Sequence, residues 1–347
     1  MSNQNRASTD PEYKIYFNGF WEGFIDNTSA NNVYVFHDLL KNTLLRNYAI
    51  VDDVSSANVL IESVFGSSMV LLKDWKYKIQ FSGEPMYRNF SCYDLVLFAT
   101  TPFGAVCEET GRAVLTAMTS PPSNVVDFPL FSCYIHSNHF WDRLIQRPPV
   151  TKVPPQFCCF IVSNKRSKMR NLMFDRLNTY KQVHSYGKFR NNMNHNLKLD
   201  YWTEPFLRFI SHYKFILCFE NTKFGTYMTE KIVNPNLARI IPIYWSTHHA
   251  KRLFNMESMV FLEDESEESI QRVIEKVIYL DNNDDAYLEM VNRPFFTPEG
   301  IQYWNENYTL EKIAENMDRV IADRGPNHIN TPAHPSPSPE NDATPLL

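Results

Sequence analysis

The sequence contains no long apolar run. No segment reaches the about 18 consecutive apolar residues that a membrane-spanning helix requires. Its first residues, MSNQNRASTDPEYK, also lack the apolar stretch of a secretory signal. From these two absences we expect a cytoplasmic protein with no membrane span.

The cysteine spacing argues against a structural metal site. The six cysteines are never arranged as CxxC, the spacing typical of structural zinc sites. Because no secretory signal is present, we expect all six thiols to be reduced. No convincing Asp-x-Asp motif ends an apolar strand either. We therefore expect no required metal or other cofactor, and stimulation by a divalent ion stays open.

The chain has no surplus of basic residues. Its formal net charge is −5 over 347 residues, whereas a general nucleic-acid binder usually carries excess Lys and Arg. The length suggests two domains, and the 44% hydrophobic content is that of a globular protein. Most of the 25 Phe and 18 Tyr are expected in the core, with a minority in loops able to stack on sugars or bases.

Two changes in composition divide the chain. Residues Arg147–Gln156, RPPVTKVPPQ, hold four prolines in ten residues, and proline disfavours both helix interiors and central strands. This segment is therefore predicted to be a linker. The Pro- and Ser-rich segment from Pro326 has little to bury and is predicted to be disordered. The predicted organisation is a first domain over 12–146, a linker over 147–156, a second domain over 157–325 and a tail over 326–347.

Apolar runs alternate with amphipathic segments in both predicted domains. In the first, a helix is expected near Phe36–Arg46 and strands near Tyr13–Phe17, Tyr48–Val51, Val59–Val64, Lys78–Ser82 and Leu95–Phe98. In the second, the predicted strands are FCCFIVSN, VHSYG, KFILCFEN, IIPIYW and SMVFLED, with helices such as KMRNLMFDRLNTY between them. Such alternation indicates an α/β fold in which helices cover both faces of parallel sheets. We expect two Rossmann-like domains that face each other across a cleft.

Two segments place polar residues where ligands bind in such folds, after the carboxyl ends of strands. Ser163 and Asn164 precede KRSKMR, which puts four cations at the start of a predicted helix. Cations are unfavourable there because of the helix dipole, so an external anion is one explanation. A solvated basic turn is the other.

The second segment is FENTKFGTYMTEKI, Phe219–Ile232. Gly225 permits a turn, Thr229 can cap a helix that begins at Glu230, and Lys231 adds a positive charge to a helix terminus suited to anions. Glu230 is unexpected beside a phosphate, but it is reasonable beside the hydroxyls of a ribose or another sugar. The alternative is that Glu230 is an ordinary first-turn acid and Lys231 a solvated residue.

A longer stretch, CFENTKFGTYMTEKIVNPNLARIIPIYW, resembles the signature of the α1,3/4-fucosyltransferases, glycosyltransferase family 10. That signature is a strand ending in F-E-N, a turn, then Y-x-T-E-K and a later P-x-x-[WL]-G. The segments IQFSGE (Ile79–Glu84), SNKRSKMRNLMFDRLNTY and DNNDDAYLEMVNRPFF are similar to further family segments. The similarity is close over residues 157–295 and thin before them, and it is nearest in character to soluble bacterial members. It implies the GT-B fold, with an acceptor-binding first domain and a GDP-fucose-binding second domain.

The resemblance implies a role for each matched residue. Glu84 would be the general base that removes a proton from an acceptor hydroxyl as this hydroxyl attacks fucose C1 and inverts the anomeric centre. Arg170 and Lys231 would stabilise the charge on the departing GDP. The implied GDP-fucose site consists of Ser163, Asn164, Arg170, Arg190, Asn221, Tyr227, Glu230 and Lys231, with a looser match at Arg190. The implied partners are GDP-fucose and an acceptor oligosaccharide or glycoconjugate that is fucosylated at O3 of GlcNAc, with no nucleic acid.

The sequence departs from the family pattern in three places. Pro235 falls inside the helix after Glu230, so that helix is expected to kink or end early. Trp245–Ser246 stands where the family often has Gly, and no match is found around Met86–Thr110. Three other functions stay open: transfer from a different nucleotide sugar, binding of glycan or nucleotide without catalysis, and, least favoured, nucleic-acid binding through KRSKMR.

Overall fold

The computed structural model describes residues 10–66, 69, 72–84, 90–99 and 122–324. The predicted tail from 326 and much of the unmatched segment around 86–110 lie outside these residues. Within them, no helix is long and apolar enough to cross a membrane. The five cysteines that the structure describes are free thiols, and Cys107 lies outside the described residues.

The first half of the chain forms a parallel sheet of six strands in the order β2-β1-β3-β4-β5-β6. All five strands predicted for this half are present. The central strands are buried along most of their length because helices cover both faces of the sheet. The strand bounds are β1 Tyr13–Asn18, β2 Tyr48–Ile50, β3 Val59–Ser63, β4 Tyr77–Ser82, β5 Leu95–Phe98 and β6 Val125–Asp127.

The second half forms a parallel sheet of five strands in the order β11-β10-β9-β7-β8. Its strands overlap the five predicted apolar runs, and each strand is shorter than the run that it overlaps. The strand bounds are β7 Gln156–Phe160, β8 Val183–Ser185, β9 Tyr213–Leu217, β10 Ile241–Tyr244 and β11 Val260–Phe261.

Eleven α-helices flank the two sheets in the described residues. The helix expected near Phe36–Arg46 is shorter and earlier, because the chain turns at Lys41. Most of the others follow strands in the α/β pattern. The helix bounds are α1 Tyr34–Leu40, α2 Leu130–Ser137, α3 Trp141–Ile145, α4 Lys168–Tyr180, α5 Glu204–Ile210, α6 Glu230–Leu237, α7 Ala250–Leu253, α8 Glu267–Asp281, α9 Asp284–Asn292, α10 Pro298–Asn307 and α11 Leu310–Arg324.

Helix α11 returns to the first sheet. Its buried residues Ile313, Ala314 and Met317 belong to the core of that sheet, and Asp318 accepts a hydrogen bond from the backbone N–H of Leu44 at 2.8 Å. The sequence analysis grouped residues 310–324 with the second domain. The packing differs because an amphipathic pattern identifies an apolar helix face without identifying the sheet that this face covers.

The two halves also share apolar clusters where they meet. Phe98 of β5 packs against Phe224, which lies after β9, with ring centroids 5.4 Å apart. Asp127 of β6 accepts a hydrogen bond from the Thr226 hydroxyl at 2.7 Å. The backbone N–H of Phe131 donates to the carbonyl of Met228 at 2.9 Å. The segment Thr222–Thr229, here called the donor loop, is therefore attached directly to the first half.

Candidate active site

The donor loop and helix α6 follow strand β9 along the chain. Gly225 has the left-handed φ of +46°, which is readily adopted by a residue without a Cβ. Thr229 is the N-cap of α6, and its hydroxyl accepts from the backbone N–H of Lys231 at 3.3 Å. Both features agree with the sequence prediction. Helix α6 ends at Leu237, two residues after Pro235, in line with the expected early end.

A buried carboxylate fixes this helix start. Glu220 is fully buried, and it accepts hydrogen bonds from the backbone N–H of Thr229 at 2.9 Å and from the Tyr244 hydroxyl at 2.9 Å. The Thr229 hydroxyl lies 2.9 Å from its other oxygen. Burial raises the pKa of Glu220, and the charge of Lys231 opposes that shift. The sequence analysis gave Glu220 no role, although it is the Glu of the F-E-N motif.

The ammonium group of Lys231 lies among acidic and hydroxyl oxygens. Its Nζ is 3.2 Å from Glu230 Oε1, 3.6 Å from Glu220 Oε2 and 3.1 Å from Thr229 Oγ1. Burial acts to lower the pKa of Lys231, but the charges of Glu230 and Glu220 outweigh it, so the pKa lies above its usual value. The side chain keeps 23% of its surface exposed. Lys231 is therefore a positively charged group that Glu230, Glu220 and Thr229 hold in position, and part of its side chain is exposed.

Arg170 is the second cation at this site. It is buried, and its guanidinium donates to Asn221 Oδ1 at 2.9 Å, to the Asn164 carbonyl at 2.9 Å and to the Phe219 carbonyl at 3.3 Å. The positive charge of Arg170 lowers the pKa of Lys231. Arg170 thus connects the ends of β7 and β9. Two like charges placed near each other suit a ligand with more than one negative charge.

The remaining cations of KRSKMR behave differently. Lys165, Arg166 and Lys168 are exposed, whereas Arg170 is buried. The Asn164 side chain accepts from the backbone N–H of Arg166 at 2.9 Å and closes a local turn. For three of the four cations, a solvated basic turn describes the arrangement. Arg170 is the one of the four that is buried, and for it anion binding stays a prediction.

Glu84 follows β4 and approaches the site from the first half of the chain. It is half-buried, and burial raises its pKa from 4.5 to about 7. The negative charges of Glu230 and Glu220 raise the pKa of Glu84 further, while Lys231 lowers it. Glu84 of the first half therefore lies within electrostatic range of Lys231, Glu230 and Glu220 of the second half. A carboxyl with a pKa near 7 can accept a proton at neutral pH.

The structure brings most of the other predicted residues to the same place. Tyr227 is buried, and the charges of Glu84 and Glu220 raise its pKa beyond the effect of burial. Asn221 contacts Arg170. Ser163 is exposed and Asn164 half-buried, both in the segment that follows β7.

Arg190 is engaged elsewhere. It forms an ion pair with Asp175 of α4, and its guanidinium lies 5.2 Å from the centre of the Phe174 ring. Arg190 lies in the loop after β8, at the edge of the sheet where the parallel strand β7 also ends. Its guanidinium would have to leave Asp175 to contact a ligand.

A family model described as "Glycosyltransferase family 10 (fucosyltransferase) C-term" matches residues 152–326. The chain is 35% identical over 158 residues to an α-(1,3)-fucosyltransferase of Helicobacter pylori. This match covers 45% of this chain and 31% of that protein. It is 24% identical over 330 residues to a putative fucosyltransferase of Acanthamoeba polyphaga mimivirus. This match covers 91% of this chain and 49% of that protein.

A solved structure of an α1,3-fucosyltransferase with GDP-fucose has a similar fold. It superimposes with a TM-score of 0.60 at 20% identity and covers 92% of this chain and 93% of that chain. The likeness confirms the predicted GT-B fold with two parallel sheets. The chain spans less than half the length of the two curated relatives described above.

Proposed function

This chain belongs to glycosyltransferase family 10, and from that premise we propose that it is an inverting fucosyltransferase. It transfers L-fucose from GDP-β-L-fucose to a hydroxyl of an acceptor glycan and forms an α-linked product. The observation that carries the proposal is the acidity of Glu84 in the first half. Its carboxyl has a pKa of about 7, and the charges of Lys231, Glu230 and Glu220 in the second half act on it. No cofactor beyond the donor substrate is assigned.

The donor half provides charge for the diphosphate. Arg170 and Lys231 carry the two positive charges, and Lys231 lies in the first turn of α6, where the helix dipole also favours an anion. As the bond from fucose C1 to the β-phosphate oxygen breaks, negative charge grows on GDP. Cations that are already in place stabilise this charge without reorganising. Glu230 accepts hydrogen bonds from sugar hydroxyls, which explains a carboxylate next to the phosphates.

Glu84 acts on the acceptor. Its carboxylate removes the proton from one acceptor hydroxyl, and that oxygen attacks fucose C1 from the face opposite GDP. One bond forms as the bond to GDP breaks, so the β-linked donor gives an α-linked product. In this proposal the acceptor is an N-acetyllactosamine-type glycan and the attacking oxygen is O3 of GlcNAc.

The test is mass spectrometry of the products from GDP-fucose and a panel of acceptors that includes N-acetyllactosamine and its β1,3-linked isomer. We expect an acceptor to gain one deoxyhexose. Glu84→Gln should abolish the gain and keep the affinity for GDP, while Glu22→Gln, at an exposed position of the same half, should behave as the wild type. Transfer that survives in Glu84→Gln would mean that another group is the base.

A calorimetric titration with GDP tests the donor half in the same preparations. Lys231→Ala should weaken GDP binding because it removes a held cation from the diphosphate site, whereas Lys168→Ala, which removes an exposed cation, should leave it unchanged. Absence of GDP binding by the wild type would overturn the fucosyltransferase proposal. GDP binding without transfer to any acceptor would favour a binding protein, and transfer from another nucleotide sugar would favour a different glycosyltransferase.

A further inference from the structure

Tyr201 is an aromatic residue in a hydrogen-bonded turn, and part of its surface is exposed. It lies in a turn closed by a hydrogen bond from the Thr203 N–H to the Asp200 carbonyl at 3.0 Å. The next residue, Trp202, packs against the apolar cluster around α6. Tyr201 itself keeps 36% of its surface exposed. Exposed aromatic side chains with a fixed backbone are suited to ligand contact because little conformational entropy is lost when they are covered.

The backbone of Tyr201 is attached to the helix that begins the donor site. Its carbonyl accepts from Asn234 Nδ2 at 3.0 Å, and Asn234 Oδ1 in turn accepts from the Tyr134 hydroxyl at 2.8 Å. Asn234 lies four residues after Glu230 on α6, so the two side chains share one helix face. This contact places Tyr201 one helical turn from Glu230.

The charges of two carboxylates act on the hydroxyl of Tyr201. Burial raises the pKa of Tyr201, and the charges of Glu230 and Glu84 raise it further. The hydroxyl makes no hydrogen bond to any residue that the structure describes. Tyr201 therefore combines a partly exposed side chain with a hydroxyl that lacks a partner among the described residues, one helical turn from Glu230.

We propose that Tyr201 is the platform on which the acceptor sugar packs. The inference rests on the proposed function. A hydroxyl that loses its proton to Glu84 must come within about 3 Å of that carboxylate, so the acceptor sugar ring lies next to Glu84. Tyr201 supplies an apolar surface for the sugar ring and one hydroxyl for its polar edge, which is the usual composition of a small-molecule site.

The location separates this role from donor binding. The diphosphate is assigned to Arg170 and Lys231, which lie in the first turns of α4 and α6. Tyr201 enters from the long connection between β8 and α5, packed against Tyr134 of α2 with ring centroids 6.1 Å apart. Exposed Leu199, two residues earlier, widens the apolar surface.

The test is steady-state kinetics with N-acetyllactosamine and GDP-fucose, using wild type, Tyr201→Ala, Tyr201→Phe and Tyr279→Ala. Tyr279 is the matched control because it is also an exposed tyrosine, at 54%, and lies on α8. Tyr201→Ala should raise KM for the acceptor about tenfold or more, since both ring contact and hydrogen bond are lost. Tyr201→Phe keeps the ring and should raise it only about threefold. Tyr279→Ala should have no effect.

Two further readouts show that the donor site is intact. The affinity for GDP and the slow hydrolysis of GDP-fucose by water should both stay within about twofold of the wild type in Tyr201→Ala. An acceptor KM within twofold of the wild type in Tyr201→Ala would overturn the inference, as would a rise in KM for GDP-fucose alone. Equal losses in the Phe and Ala variants would also overturn it, because the ring would then contribute nothing. If the wild type transfers no fucose, the proposed function itself has failed, a result distinct from all of these.

Discussion

Glu84 shows how the two halves of the molecule set the acidity of one residue. Burial raises the pKa of its carboxyl, and the charges of Lys231, Glu230 and Glu220 from the second half act on it as well. The result is a pKa of about 7 instead of 4.5. A general base with this pKa combines a useful deprotonated fraction at neutral pH with good basicity.

This acidity predicts the pH dependence of the reaction. Only the deprotonated form of Glu84 can act as base, so kcat/KM should rise with pH, with a midpoint at about 7, and level off above it. The measurement is kcat/KM with subsaturating acceptor from pH 5 to 9, because this parameter reports groups of the free enzyme. A midpoint near 4.5, or a flat profile, would contradict the assignment.

At the scale of single elements, the start of α6 depends on one buried acid. Glu220 accepts from Thr229 and Tyr244 and lies near Lys231. Replacing it with Ala would leave three buried donor groups, two of Thr229 and one of Tyr244, without their acceptor and would remove one of the two carboxylates near Lys231. Removing one partner of a buried pair typically costs about 3–5 kcal/mol of unfolding free energy.

We therefore expect Glu220→Ala to lower the unfolding free energy by about that amount and to weaken GDP binding, measured by denaturant unfolding and calorimetry. Glu204→Ala is the control, because Glu204 forms an exposed ion pair with Arg143, and such pairs contribute less than about 1 kcal/mol. An equal effect of the two substitutions would show that Glu220 is not the anchor of the helix.

The elements themselves were largely predictable from the sequence. The ten predicted strands exist because apolar runs bounded by polar residues are characteristic of buried parallel strands. The cap at Thr229 and the turn at Gly225 were predictable from local chemistry as well. Strand β6 and helices α2, α3, α7, α9, α10 and α11 were not predicted. For α2 the reason is that an apolar stretch such as FPLFSCYIHS fits a buried strand or a buried helix equally well.

The partners of the site residues were less predictable. Nothing local in the sequence distinguishes Arg170, which is buried at the site, from Lys168, which is exposed two residues earlier. The roles of Glu220 and Tyr201 depend on contacts with Tyr244 and Asn234, each formed over more than twenty residues of sequence. Such pairings depend on the tertiary fold, which a local pattern does not specify.

At the scale of the whole molecule, the last helix stabilises the first sheet. Ile313 of α11 is fully buried in the core of that sheet. Ile313→Ala removes apolar contacts and leaves a cavity, which typically costs about 2–5 kcal/mol. We expect this substitution to lower hydrogen-exchange protection in β3 and β5, although both strands are more than two hundred residues away in sequence.

The control is Lys312→Ala, which removes an exposed side chain paired with Glu315 on the same helix and should change protection little. If Ile313→Ala reduced protection only in the second sheet, α11 would belong energetically to the second half.

The seam between the halves limits how this molecule can be recombined. The donor loop is attached to the first half through Asp127, Phe98 and Phe131, and α11 crosses back to the first sheet. A chimera joined at the proline-rich linker would separate the donor loop from its supports and α11 from its sheet. The two halves therefore cannot be exchanged independently between proteins. A chimera with a new first half must also keep the residues that contact the donor loop and α11.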